Sequence, residues 1–304
     1  MAISTLHRID RITGPIALNE ISSTKWGTGI KSMIETPAGH TSPMFRSNQS
    51  QEPTVEFTCH EIGTLLDTLT TASGIAISST PLVTYFKKAS TTGNVARATA
   101  QHSTITVNLG CLYWNSINLQ HNSRAEATCT IQTAYDGTND PLVYATGVAL
   151  SGNITGSEYF TLGPVSVNGS SIAGVVSAKI DANIDLEVMS SDGEVWPTFV
   201  GVRSVAPTVT ITTKTNVWGT HGLQGLALNG STGLVVFARK MSATSRVANG
   251  TAQHIKFVGL NGTMIPTDTD GSDANTLGYS AKFELISSSD SVFPLTYSTG
   301  QTIS

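Results

Sequence analysis

Charge is what this sequence has least of. Asp, Glu, Lys and Arg make up 12% of its 304 residues, about half the share in an average soluble protein. So sparse a surface must be built from Ser, Thr, Asn, Gln and Gly. That suits a subunit that hides its surface in an assembly better than a freely diffusing monomer. With 17 basic and 21 acidic residues the net charge is −4, which leaves no basic footprint for a dedicated nucleic-acid binder. No apolar run reaches the roughly 18 residues of a membrane helix. Met1 to Asp10 lacks the apolar core of a signal peptide, so the expectation is synthesis in a reducing cytosol.

Cysteine is nearly as scarce. Cys59, Cys111 and Cys129 are odd in number, lack C-x-x-C spacing, and lie in apolar or Thr-rich runs. Reduced, buried thiols are expected, not a zinc site or a disulfide framework. There is no G-x-S-x-G, P-loop, H-E-x-x-H, or G-x-G-x-x-G after a strand. The four tryptophans, Trp26, Trp114, Trp196 and Trp218, are scattered, which argues against a carbohydrate platform. Asp268 to Asp273 opens like a calcium loop, but Tyr279 stands where a closing Glu belongs, so a solvated loop is expected. Asp181, Asp185, Glu187 and Asp192 crowd one polar face, with nothing spaced around them to make an acid–base cleft. No cofactor or metal is expected, and no catalytic residue.

What the chain does have is a repeat. Pro141-Leu142-Val143-Tyr144-Ala145-Thr146-Gly147 returns as Pro294-Leu295-Thr296-Tyr297-Ser298-Thr299-Gly300, 153 positions later. Further landmarks keep the same order: Gly14-Pro15 and Gly163-Pro164, Pro53-Thr54-Val55 and Pro207-Thr208-Val209, Phe86 and Phe237, Ala100-Gln101-His102 and Ala252-Gln253-His254. We read a tandem duplication, with domains at 1–152 and 153–304. Their shift grows from 149 at Gly-Pro to 154 at Pro-Thr-Val, which places the length change in the hairpin between them. His102 and His254 fall at matching strand starts with no repeated ligands nearby, so a structural role is expected.

Each half reads as mainly β: an antiparallel sandwich or barrel with one flanking helix and a long hairpin. Thr54 to Cys59 alternates with a period of two, and Leu82 to Lys88, Thr104 to Leu109, Arg124 to Thr133 and Leu142 to Leu150 are rich in strand formers. Ile62, Leu65, Leu66 and Leu69 fall at i, i+3, i+4 and i+7, one face of a helix over about His60 to Thr71. Its counterpart is read at Asn216 to Leu226. Strict alternation from Val175 to Met189 predicts one long two-faced strand, with Lys179, Asp181, Asn183, Asp185 and Glu187 on its polar side. It turns at Ser191-Asp192-Gly193. Lys25 to Arg46 reads as a partly exposed hairpin or loop. Asn168-Gly169 predicts a tight hairpin turn, and the sequons at Asn153, Asn249 and Asn261 are likewise read as turns. The repeated Pro-Leu-x-Tyr-x-Thr-Gly stretch reads as the last strand of each domain, a core element.

Gly163-Pro164, Asn168-Gly169, Ser191-Asp192-Gly193, Pro207-Thr208-Val209-Thr210-Ile211, Phe237 and Lys240 together resemble the tail tube proteins of long, non-contractile-tailed phages. The resemblance implies a β-sandwich that self-assembles into stacked rings around a DNA channel, with three two-domain chains per ring. It implies a virion protein of the tail, assembled in the host cytoplasm. Tail terminator, tape-measure and distal tail proteins would be its partners, with transient, non-specific passage of DNA and no membrane. Lys179, Asp181, Asn183, Asp185 and Glu187 would then face the lumen. A double jelly-roll capsid protein forming pseudo-hexagonal trimers is the alternative reading, and a carbohydrate-binding sandwich the third.

Overall fold

A computed structural model of the chain describes residues 7–69, 75–78, 82–90, 93–94, 102–150, 158–191, 193–215, 226–242, 245–272, 275–289 and 292–303. The first half holds β1 (His7–Thr13), β2 (Ile21–Gly27), β3 (Ile30–Glu35), β4 (Phe45–Gln51), β5 (Thr54–Cys59), α1 (Ile62–Thr68), β6 (Ile75–Ser78) and β7 (Leu82–Ser90). It continues with β8 (Gly93–Asn94), β9 (His102–Val107), β10 (Gly110–Gln120), β11 (Glu126–Thr133) and β12 (Leu142–Val148). The second half opens with β13 (Phe160–Val167), β14 (Ser170–Ser171), β15 (Val175–Asp181), β16 (Ile184–Met189), β17 (Phe199–Val205) and β18 (Thr208–Thr213). It closes with β19 (Leu226–Leu228), β20 (Leu234–Lys240), β21 (His254–Gly259), β22 (Asn261–Ser272), β23 (Asn275–Ile286) and β24 (Leu295–Gln301). The protein is mainly β.

One antiparallel sheet runs through both halves in the order β19-β22-β23-β18-β15-β10-β11-β5-β2, with β6 also on β10. Two smaller sheets, β1-β7-β9-β12 with β8 and β14-β13-β20-β21-β24, cover its inner face, one in each half. The arrangement is sandwich-like. Two separate hairpins, β3-β4 and β16-β17, stand apart from these sheets. Strand order is the same in the two halves: β1-β7-β9-β12 matches β13-β20-β21-β24, and β2-β5-β11-β10 matches β15-β18-β23-β22.

Alternation explains the packing. Along β5, Val55, Phe57 and Cys59 point inward and are buried, while Thr54, Glu56 and Thr58 face out. β18 repeats this with Val209 and Ile211. Facing them across one continuous core are Ile12, Leu18, Val107, Val165, Val167, Val236 and Phe257, each worth about 1.5–3 kcal/mol on full burial. Ile62, Leu65, Leu66 and Leu69 are all buried, as the helical period predicts, though α1 is shorter than expected. The Asn168-Gly169 turn joins Val167 to Ser170 with both φ values positive, 48° and 79°, the geometry that selects Asn-Gly. Cys59, Cys111 and Cys129 are buried and free.

Several expectations need correcting. The Val175 to Met189 alternation is not one strand. Asn183 adopts φ 46° and divides it into β15, which joins the ten-stranded sheet, and β16, which pairs with β17. Alternation continues through the break, which leaves no mark in the residue pattern. The five-residue length change also disappears. Pairing with the neighbouring strand aligns Ile12 with Val165, so Gly163-Pro164 is a bulge inside β13 and not the counterpart of Gly14-Pro15. Likewise Tyr85, not Phe86, occupies the register position of Phe237. The two hairpins then start 154 positions apart, at Ile30 and Ile184, and their second strands do too, at Phe45 and Phe199.

Asp268 to Ser272 belongs to strand β22, not to a solvated loop, and Asn261-Gly262 lies in the same strand, not in a turn. The central strand β10 had no counterpart among the expected elements. Asp192, Asp273, the 152/153 boundary with the Asn153 sequon, and 216–225 of the second expected helix lie outside the described residues.

Candidate assembly surfaces

The halves meet along a seam of backbone pairing. β10 takes β15 antiparallel, with Ser116 opposite Asp181, Ile117 opposite Ile180 and Gln120 opposite Ser177. Ile117, Leu119, Ala178 and Ile180 are buried beneath it. Helix α1 forms a second contact. Its first turn donates Gly63 N–H and Thr64 N–H to Glu158 Oε2 at 2.9 and 3.2 Å, so a carboxylate of the second half meets the positive end of the helix. At the other end Tyr297 Oη donates to Leu69 O at 3.3 Å, and Thr299 Oγ1 donates to Asp67 Oδ1. A third contact comes from the connection between β16 and β17. Gln51 N donates to Val195 O at 2.8 Å, Tyr135 N donates to Pro197 O at 2.7 Å, and the Tyr135 and Trp196 rings lie 5.0 Å apart.

An ionic cluster fills the junction. Arg124 pairs with Glu20 and donates to the Glu158 carbonyl, while Lys240 approaches Glu158 at 3.7 Å and lies over the Phe160 ring. Glu61 is buried beside them and accepts from Asn19 N and Glu20 N. Burial raises its carboxyl above the usual range, hydrogen bonding from Asn19 opposes that, and the nearby Glu158 charge adds to it. An acid with a raised folded pKa binds its proton more tightly in the fold than in the unfolded chain. Its contribution is therefore full below the ordinary glutamate range and is lost as pH rises through the folded value. Glu61→Gln keeps an oxygen for both N–H groups and removes the charge. It is expected to melt above the parent at pH 8, with the gap closing below about pH 4. Thermal unfolding across that range checks this; a constant gap would refute it.

Comparing matched positions between halves separates two kinds of surface. Trp26 in β2 occupies the register position that Ile180 occupies in β15; Trp26 is 46% exposed and Ile180 0%. Tyr144 in β12 matches Tyr297 in β24; they are 62% and 5% exposed. The repeated Pro-Leu-x-Tyr-x-Thr-Gly stretch is thus core in one half and open in the other. Phe45 and Phe199, by contrast, are matched hairpin residues that are both 50% exposed. In the sequence Trp26 is one of four scattered tryptophans and Tyr144 reads as core; no sequence signal marks either as open, because only its exposure separates it from its counterpart.

The five candidate lumen residues are not brought together as one face. Lys179 and Asp181 stand on the polar face of the ten-stranded sheet and pair at 2.8 Å. Asn183 is at the break, its side chain donating to Ala206 O at 3.0 Å. Asp185 and Glu187 are on the separate hairpin, where Asp185 lies 3.8 Å from Arg203. Cross-strand register extends the polar face from Glu126 through Asn118, Lys179 and Thr210 to Lys282. Its lysines meet acids: Lys25 with Glu56 at 3.9 Å and Lys282 with Glu284 at 2.9 Å.

The matched histidines and Cys111 are held inside the fold. His254 Nδ1 accepts from Lys240 N and its Nε2 lies 3.1 Å from Ala248 O, while matching His102 is buried at the start of β9. Burial pushes the Cys111 thiol up to about 11, far from a reactive thiolate. No group of three or more metal-ligating side chains occurs among the described residues. No helix of the described residues is long and apolar enough to cross a membrane. No protein-family model matches the chain, and a search of curated proteins found no match.

Proposed function

We propose that this chain is the repeating subunit of a tube built from stacked rings, a tail tube protein of a long, non-contractile-tailed phage, made of two copies of one domain. One observation carries the reading: the strand pairing that joins the halves is a pairing that two sheet edges left open among the described residues can make. β22 holds the place of β10, and β2 holds the place of β15. Because the edges differ, association through them runs head to tail, and such contacts close into rings when the rotation allows. Three chains would supply six halves. The resemblance to tail tube proteins supplies the ring number, the virion location, and the tape-measure, terminator and distal tail partners.

In this reading the polar face of the ten-stranded sheet, with Lys179 and Asp181, lines the channel. Each of its lysines at 25, 179 and 282 sits beside an acid, so phosphate gains little by releasing counterions there. DNA would pass without being held. The matched hairpins, each with an open phenylalanine, would reach the adjacent ring. Negative-stain microscopy of the purified chain tests the reading. Long hollow tubes are expected. Isolated hexagonal trimers would favour a double jelly-roll capsid subunit, and dispersed monomers at high concentration would refute assembly altogether.

A further inference from the structure

The edge of β2 and the open face of β12 make one socket, and we infer that a second copy of this chain fills it in the register already used inside the chain. This rests on the assembly reading above and adds to it the surface and the alignment. Of the contacts that hold the second half on the first, three have an open counterpart in the first half. β15 lies on β10; β2 repeats β15 down to the irregularity after its first residue, at Ile21/Ser23 and Val175/Ser177. Among the described residues no strand lies on its outer edge. Tyr297 and Thr299 rest on α1; their counterparts Tyr144 and Thr146 are exposed. Val195 to Pro197 rests on Gln51 and Tyr135; residues 36–44, in the matching connection, are all exposed.

The occupant follows from the same comparison. Whatever covers Trp26 and Tyr144 must offer a strand edge where β10 offers one. Among the described residues β22 is the element that matches β10, and its outer edge at 269–272 carries no strand. Carrying the seam through the matched positions sets Gly27 opposite 268 of the second copy, Trp26 opposite 269, Lys25 opposite 270, Thr24 opposite 271 and Ser23 opposite 272. An exposed edge with a large aromatic on it is a surface that soluble proteins otherwise protect, and a desolvated Trp at an interface centre is a typical energetic anchor.

Thiol cross-linking of the full-length chain tests this, since the three native cysteines are buried. Lys25→Cys with Asp270→Cys, treated with a short bifunctional thiol reagent, is expected to give a ladder of linked chains. Lys25→Cys with Asn261→Cys, far along the strand, is expected to give none. Trp26→Lys and Tyr144→Lys are each expected to weaken self-association about 100-fold in sedimentation, while Trp26→Phe keeps it. Both positions are solvent-exposed in the single chain, so circular dichroism is expected to show an unchanged fold. Assembly that proceeds without the 25/270 link, or that ignores both lysine variants, overturns this socket and leaves the tube reading standing. A chain that never associates overturns both.

Discussion

Ile180→Asp is expected to abolish folding, while Trp26→Asp, at the matched position of the other half, leaves the single chain folded. Ile180 is fully buried at the seam, packed between the sheets with Ile117 and Ala178. A carboxylate there loses its water and gains no partner, a cost of at least about 4 kcal/mol and a large part of a typical domain's stability. Trp26 has solvent on its outer side, so the same substitution should cost about 0.5–1 kcal/mol in the isolated chain. Urea unfolding followed by circular dichroism separates the two. Equal destabilisation would mean that Trp26 is as covered in the single chain as Ile180, and the open edge of β2 would fall with it.

The second large effect concerns the hairpins. Phe45→Ser combined with Phe199→Ser is expected to leave rings intact and eliminate long tubes. A side chain open in both halves cannot belong to a contact the second half has already made with the first. Phe45 and Phe199 are equally exposed, so their cover, on the proposed function, comes from a neighbouring ring. Each buried phenylalanine contributes about 1.5–3 kcal/mol, and a ring of such contacts multiplies the loss. Microscopy and sedimentation read the outcome together. Tubes of normal length from the double variant would remove the hairpins from the stacking surface; loss of rings as well as tubes would place Phe45 and Phe199 in the ring contact instead.

Periodicity made much of this fold legible. The helical spacing of Ile62, Leu65, Leu66 and Leu69 and the alternation of Val55, Phe57 and Cys59 both describe side chains that are buried as expected. The matched strands β12 and β24 lie at the offset read from Pro141 and Pro294. Elements whose surroundings override local preference were not legible. β10 begins with an apolar run buried on both faces, so it never alternates there. β22 carries Pro266 and Gly271 among aspartates and threonines, a composition that signals a loop but is tolerated in an edge strand. Asn183 broke a strand without breaking its pattern, because a left-handed residue leaves the sequence alternation untouched. Gly-Pro misled because short identities can match by chance, whereas strand register fixes equivalence residue by residue.

The candidate surface was less legible still. No motif marks Trp26 or Tyr144, since an open edge strand has the same composition as a covered one. Only unequal burial of equal positions separates them, and burial requires the fold.

The seam also bears on how fast the protein could build anything. β10 and β15 share one chain, so their meeting is governed by an effective local concentration, not by how much protein the cell holds. Every second strand junction in a closed ring of such halves would be complete before two molecules collide. The threshold at which growth begins would then depend on the remaining junctions alone, and a chain split between β12 and β13 would have to reach it by diffusion at all of them.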